Sequence, residues 1–415
     1  MTSWRHAGNL LVKLMTEQGD KRDLLRIKSK LRLIVIKKVA VIGGGISGLT
    51  VGCGLRKNGI SVDLYERSAS IFEFGAGITL SKNATSLLVE LDLMNDISSV
   101  AYFPMKSFVR NFVSVREISS VEFDKSFVTL DRRDLIRILA HRFELSGGKL
   151  ILDTEVNLVN PLTAEIAFKD QSKKYDLVLI CDGIKSALRN KMFDNLQPEF
   201  TGYVAWRGMV EASKLPNFQG SDKVNIYYGP GSHFVHYPTG KEDLINFVAI
   251  ENKSQWHEES WKTEGIKTDL LSKFDNWNEG LLYMMASTDK LYKWGIFQRE
   301  QPKKLIKDRV VLLGDAAHPM VPFLGQGACM AIEDAFALAE VLKGTNDLNL
   351  SLERYNSLRL RRNKFIQKRS MLQASFNHVS NPVMATLRNL AVKAFLKKSV
   401  QSLHSYDLKK KLTFQ

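Results

Sequence analysis

Cysteine is scarce in this 415-residue chain: Cys53, Cys181 and Cys329 stand far apart, with no CxxC and no histidine-paired spacing. Disulfide frameworks and zinc sites both require such pairing, so neither is expected. Each thiol reads instead as a small buried apolar residue, and a reducing cytoplasm is the expected setting. No apolar run approaches the roughly 18 residues of a membrane span. Sequence motifs of RNA-binding domains are also missing, so the net charge of +15 is not read as a nucleic-acid signal. That charge is placed unevenly. Residues 1–38 hold 10 Lys+Arg against 3 Asp+Glu, and residues 354–415 hold 14 against 1. The long middle of the chain is therefore slightly acidic.

Two glycine-containing stretches carry the chemistry. Lys38-Val-Ala-Val-Ile42 is an apolar strand that runs into Gly43-x-Gly45-x-x-Gly48 and then a helix rich in small residues. This strand, turn and helix order is the dinucleotide fingerprint. Gly43 makes the tight turn, Gly45 lets the backbone approach a pyrophosphate, and Gly48 lets helix and strand pack closely. Ile46 and Ser47 open the helix whose N-terminus faces the phosphates. A second strand, Ile60 to Glu66, ends in a carboxylate about 20 residues on, where a ribose hydroxyl needs an acceptor. Arg67 follows it directly and joins the candidate cofactor set.

Far downstream, Val310-Val-Leu-Leu-Gly314 reads as a short buried strand with Asp315 at its carboxyl end, the crevice where parallel sheets bind ligands. Asp315 suits the hydroxyls of a long cofactor; its alternative reading is a helix N-cap. Pro319, Pro322, Gly325 and Gly327 mark a loop, and Ala328 to Leu342 reads as the next helix, whose positive end suits an electron-rich ring. Between the two stretches, Tyr175 to Asp182-Gly183 is a strand-to-turn junction leading into Ser186-x-x-Arg189.

These three elements, in this order, resemble the single-component FAD-dependent aromatic hydroxylases of the para-hydroxybenzoate hydroxylase type. The resemblance spans about residues 37 to 345. It implies that the first motif holds the ADP of FAD, that Asp182 and Arg189 serve FAD and the nicotinamide donor, and that Asp315 contacts ribose and flavin. Gly75-Ala-Gly77-Ile78-Thr-Leu-Ser-Lys-Asn83 looks like the family's flavin-proximal segment, with Lys82 where proline is usual. Leu130-Asp-Arg132-Arg-Asp-Leu135 looks like its FAD-contacting arginine helix; Arg132 is the expected match and Arg133 the alternative register. Pro322 and the Gly325-Gln326-Gly327 loop are placed beside the flavin ring by the same resemblance. Gly202-Tyr-Val-Ala-Trp-Arg207-Gly, Gly229-Pro-Gly-Ser-His233-Phe-Val-His236-Tyr237-Pro and Asn246-Phe-Val-Ala look like the salicylate and 3-hydroxybenzoate hydroxylase branch. That branch, zeaxanthin epoxidase and urate hydroxylase share one architecture, so the resemblance does not name a substrate.

Independently of the resemblance, residues 201 to 251 are short runs rich in Val, Tyr, Phe and Ile, broken by Gly and Pro, which indicates antiparallel strands. Arg207, His233, His236 and Tyr237 are candidates to line this wall and orient a planar anionic substrate. His233 or His236 is the candidate base, since an unperturbed imidazole titrates near neutrality. About half of the residues on such strands point away from any one site.

The expected fold is α/β: a Rossmann-like, GR2-type FAD-binding domain with an inserted mixed or antiparallel-sheet substrate domain and a C-terminal helical segment. Expected boundaries are a basic N-terminal extension at 1–36, FAD-binding parts at 37–110, 132–195 and 301–345, substrate-domain strands at 111–131, a substrate-binding sheet at 196–300, and basic helices at 346–415. In the extension, Lys13 to Lys30 suits a basic helix; a targeting segment, an exposed tail and an upstream start before Met15 are the readings, with Glu17, Asp20 and Asp23 against a transit peptide. At the other end, Leu352 to Gln373 and Pro382 to Val400 read as helices with cationic faces bearing Arg359, Arg361, Arg362, Lys364, Lys368 and Arg369, then Lys397, Lys398 and Lys409 to Lys411. They serve as a solvated cover or as a weak contact to an anionic membrane surface or acidic partner.

The resulting expectation is a monomeric or dimeric FAD-dependent monooxygenase that consumes NADH or NADPH and O2 and hydroxylates a phenolic or carboxylated ring through a flavin hydroperoxide. FAD is expected to bind tightly and the nicotinamide transiently. The alternatives are an epoxidase or urate-type hydroxylase, a flavin-dependent reductase without oxygen transfer, and a non-catalytic flavoprotein.

Overall fold

The computed structural model describes residues 36–71, 76–215, 222–240, 243–256 and 263–413. The basic segment Lys13 to Lys30, Met15 and Gly75 lie outside the described residues.

The strand Lys38–Ile42 sits inside a six-stranded sheet, flanked by Leu177–Ile180 and Ser61–Tyr65, with Val310–Leu312 and Lys149–Ile151 beyond them, all parallel. Ile306–Lys307 closes one edge antiparallel. Leu177–Ile180 and Val310–Leu312 are buried along their whole length, as expected of parallel strands covered on both faces. Helix α1 (Ile46–Lys57) packs on this sheet between α2 (Arg132–Leu145) and α3 (Gly327–Leu342). Small residues allow the approach: a Cβ at Gly52 would lie 2.9 Å from the Phe143 ring, and one at Gly54 2.8 Å from Ala339.

A second, seven-stranded sheet has the order Leu291–Gln298, Glu199–Glu211, Leu244–Asn252, Ser232–Thr239, Val224–Gly229, Lys106–Asn111 and Glu117–Glu122. It is antiparallel except where Lys106–Asn111 runs parallel to Val224–Gly229. The chain thus enters this sheet at Lys106, a few residues ahead of the expected 111. Gly77–Leu80 pairs with Val128–Asp131 as a ribbon between the two sheets, and a small three-stranded sheet spans Leu158 to Lys174.

Two antiparallel helices follow α3: α4 (Leu348–Asn377) and α5 (Pro382–His404). The Asn381 side chain caps α5 by accepting from the Val383 and Met384 N–H groups, with Pro382 at the first helical position, the favoured way to begin a helix. Among the described residues no helix is long and apolar enough to cross a membrane, and no cluster of metal-ligating side chains occurs.

Candidate active site

The three fingerprint glycines are required for different reasons. Gly43 has φ +106°, and a Cβ there would lie 2.4 Å from the Cys181 carbonyl oxygen. One at Gly48 would lie 2.0 Å from the Gly43 carbonyl oxygen. At Gly45 a Cβ would meet nothing within 4 Å, so this edge of the backbone faces the crevice and leaves room for a pyrophosphate. Gly45 is also the N-cap of α1 and offers no side-chain cap. The first turn of the helix, opened by Ile46 and Ser47, therefore has no side-chain cap, as a helix N-terminus that receives an anion requires.

Glu66 stands at the end of Ser61–Tyr65, where its carboxylate accepts from Gly44 N (2.7 Å) and Ser68 N (2.9 Å). Arg67 is exposed beside it, and its charge reaches Asp182. Burial pushes the Asp182 carboxyl up to about 6 against the Ser186 hydroxyl and the Arg67 and Arg299 charges. Its buried Oδ1 has no hydrogen-bond partner among the described residues. A packed Gly43 and Gly48, an open Gly45, a ribose-side carboxylate and an orphaned Asp182 oxygen together fit FAD.

Asp315 lies on a turn of 3-10 helix just after Val310–Leu312, exposed along the crevice. The surrounding protein raises its carboxyl above the usual range, while His318 and Arg132 pull it the other way. Arg132 also acts on Arg207, so it lies between the nucleotide crevice and the seven-stranded sheet. Arg133 instead folds back on the N-cap Asp131 at 2.6 Å.

Arg189 departs from the expectation of direct cofactor contact. It is fully buried and donates to the carbonyls of Ala316 (3.2 Å) and Ala317 (3.1 Å) and to Asp194 (3.1 Å). It braces the Asp315 turn from behind. Gln326 likewise turns inward, donating to Ser81 Oγ (2.9 Å) and accepting from Asn83 (3.0 Å). Pro322 stays exposed, and Gly325 takes the left-handed conformation at φ +61° before Gly327 opens α3.

The acidic pair on α3 has its partners on α4. Arg359 donates to Asp334 (2.6 Å) and Glu333 (2.7 Å), and Arg362 donates to Glu333 (3.0 Å). Asp334 also accepts from Gly314 N (3.0 Å) and pairs with His318. Burial opposes its ionisation, but His318 and Arg359 outweigh this and hold the carboxyl well below the usual range. Arg359 and Arg362, expected on a cationic surface, are thus core residues. Their charges compensate two carboxylates that helix packing buries, and loss of either partner would leave a charge costing about 3–5 kcal/mol.

Strand register decides which residues form the substrate wall. Ala205, Ile250 and His233 lie across from one another, as do Arg207, Val248 and Val235, and Met209, Asn246 and Tyr237. These rows share the face turned toward Gly77–Leu80: Tyr237 Oη donates to Gly77 O (2.8 Å) and Gly77 N donates to Asn246 Oδ1 (3.0 Å). Ile78 continues this strand, half-buried. The Arg207 guanidinium lies 5.0 Å from the Trp294 ring centroid. Its buried Nε has no hydrogen-bond partner among the described residues, and burial lowers its pKa, although Tyr237 acts in the opposite sense.

His236 falls on the opposite face with Phe234 and Phe247. It is buried, its Nε2 lies 3.2 Å from Tyr227 Oη, and burial, then Arg110, pushes it down to about 3. His233 is on the wall but buried against His378, Nδ1 to Nε2 2.9 Å. Burial and then His378 hold it well below the ordinary imidazole range. The structure therefore separates the two candidate bases and moves both away from neutrality. Burial also pushes the Tyr237 phenol up to about 12, so it acts as a hydrogen-bond donor.

Four residues that sequence reasoning missed join the wall: Asn246, Trp294, Phe323 and His378. His378, at the end of α4, stacks on Tyr203 at 4.5 Å, and Phe323 lies edge-on to both. Only Asn246 left a trace, inside the Asn246-Phe-Val-Ala stretch.

Residues 37–370 match the FAD binding domain family. The chain is 31% identical over 362 residues to a 3-amino-4-hydroxybenzoate 2-monooxygenase of Streptomyces platensis, covering 85% of this chain and 91% of the relative. It is 30% identical to a 3-hydroxybenzoate 6-hydroxylase of Klebsiella oxytoca, covering 79% and 85%. A salicylate hydroxylase substrate complex superimposes with a TM-score of 0.80 at 26% identity, covering 91% of this chain and 98% of that one. The chain belongs to the FAD-dependent aromatic hydroxylases of the para-hydroxybenzoate hydroxylase type. It is an FAD-dependent monooxygenase, an oxidoreductase of small aromatic substrates.

Proposed function

We propose that this protein hydroxylates a small aromatic ring bearing a carboxylate or an ionisable phenol, with Arg207 as its anchor. The carrying observation is the Arg207 guanidinium, on the wall face of the sheet and lying against Trp294, with a buried Nε that no acceptor among the described residues satisfies. A cation so placed binds a carboxylate through charge-assisted hydrogen bonds. It also lowers the pKa of a phenol beside it, so ionisation of the ring does not need a neutral-range histidine. Val235, Val248 and Phe323, half-buried, offer apolar surface that excludes water, while Tyr237 and Asn246 hold the Gly77 strand against the wall. The Gly43 to Gly48 turn, Glu66, Arg132, Asp182 and Asp315 would hold FAD. Bound FAD, reduced by NADH or NADPH, supplies the oxygen-activating chemistry.

The test is NADH and NADPH oxidation with oxygen uptake across salicylate, hydroxybenzoates, hydroxynicotinates and urate. Uptake stimulated by a carboxylated phenol, with a product one oxygen heavier, supports the reading. Preference for urate or an alkene would replace it by the urate-type or epoxidase reading, and reduction without oxygen transfer by a reductase. Asp315→Ala is expected to purify without FAD, as read by its absorbance spectrum; full occupancy would remove Asp315 from the site.

A further inference from the structure

The outer face of α5 is unlike the rest of the surface. Val383, Leu387 and Leu390 are spaced for one side of a helix and are 69%, 53% and 60% exposed. The opposite side of the same helix is buried through Arg388, Val392 and Leu403. Amphipathic packing therefore does not account for the outer leucines. Lys393, Lys397 and Lys398 are exposed at the C-terminal end of this face. On α4, Phe365 and Leu372 are exposed seven residues apart with Arg361 and Lys368. Arg369 ties the two helices together through Ser399 (2.8 Å) and Ser402 (3.1 Å). No Asp or Glu occurs between Arg354 and Asp407.

We propose that the α4 and α5 pair docks on an anionic phospholipid surface, with the Val383, Leu387 and Leu390 side chains entering the interface. Apolar residues bordered by lysines on one helix face match a helix lying in the headgroup plane. Charge complementarity selects this occupant over a second copy of the chain. An isologous pairing sets the same patch against itself and would bring the lysines of two copies face to face, whereas an acidic headgroup layer attracts them.

The experiment is co-sedimentation of the FAD-loaded full chain with phosphatidylcholine vesicles, with and without phosphatidylglycerol. The protein is expected to pellet with the phosphatidylglycerol vesicles and to be released as salt rises. Leu387→Glu/Leu390→Glu should weaken binding by at least about ten-fold, and Lys393→Gln, Lys397→Gln and Lys398→Gln by about five-fold each. FAD content and turnover of a soluble substrate serve as the folding control, and both should stay unchanged. Equal pelleting on both vesicle types, no pelleting, or binding indifferent to the leucine pair would overturn the proposal. A concentration-dependent dimer that Leu387→Glu/Leu390→Glu abolishes, without vesicle binding, would assign the face to self-association instead.

Discussion

The two faces of the seven-stranded sheet are built from the same strands, one residue apart, yet they serve opposite ends. On one, Trp206, Phe234, His236 and Phe247 pack under the helices Lys267–Lys273 and Glu279–Ala286 in a closed core with Leu281 and Met284. On the other, Arg207, Val235, Tyr237 and Asn246 meet the FAD-binding half. Burial holds His236 on the core face and His233 on the wall below the ordinary imidazole range alike, while the wall alone carries Tyr237 and Asn246, which bind the Gly77 strand. The period of two along a strand thus separates stability from chemistry without separating the residues in sequence.

That contrast can be broken from either side. Phe247→Ala on the core face should cost about 3–5 kcal/mol of stability, measured by chemical denaturation, while the KM of protein that remains FAD-loaded changes little. A raised KM with undiminished stability would show that the faces are not independent. Arg207→Gln on the wall face should lower kcat/KM for a carboxylated ring by about 10- to 100-fold, or roughly 1.4–2.8 kcal/mol, mostly through KM, with little change in Tm. An equal loss for an uncharged phenol would remove Arg207 as the anchor.

The histidines sharpen the comparison through pH. His233, His236 and His378 have folded pKa values below the unfolded value, His236 at about 3 and His378 at about 4. Between the unfolded imidazole value near 6.5 and these folded values the unfolded chain binds more protons, so stability falls as pH falls through that window. It is fully retained above it. His236→Gln should remove about one proton from that dependence, ~1.4 kcal/mol per pH unit, and leave the pH profile of kcat/KM unmoved. A shifted kinetic profile would bring His236 into the mechanism. The smallest effect is expected for Arg133→Gln, whose exposed guanidinium pairs with the buried N-cap carboxylate of Asp131, about 1 kcal/mol; marked FAD loss would assign the cofactor role to Arg133.

Much of the nucleotide-binding half was legible because its chemistry is local. Gly43, Gly45 and Gly48 act within one turn, Glu66 ends the neighbouring strand, and Asp315 ends another, so backbone conformation and strand termini follow from contiguous residues. Arg189 and Gln326 sit inside the right motifs, yet their side chains point away from the crevice to brace it. Motif membership specifies where the backbone goes, and side-chain direction depends on what packs behind.

The opposite limit is the basic C-terminus. Counting charges places Arg359 and Arg362 with Lys364 and Lys368 on a cationic helix, and the helix is real. Only the docking of α4 on α3 shows that two of these cations neutralise Glu333 and Asp334 in the core while Arg361, Lys364 and Lys368 stay in solvent. Similarly, His378 is 145 residues from His233, and no spacing rule joins them.

By itself the sequence determined the cofactor-binding class, the strand, turn and helix order that creates the crevice, and the antiparallel character of the substrate sheet, because these depend on residue type within short windows. Tertiary structure alone decided which of His233 and His236 faces the crevice, which arginines are buried, and that Arg207 meets Trp294. Those outcomes depend on cross-strand register and helix docking, where burial of apolar surface from distant segments fixes the direction of each side chain.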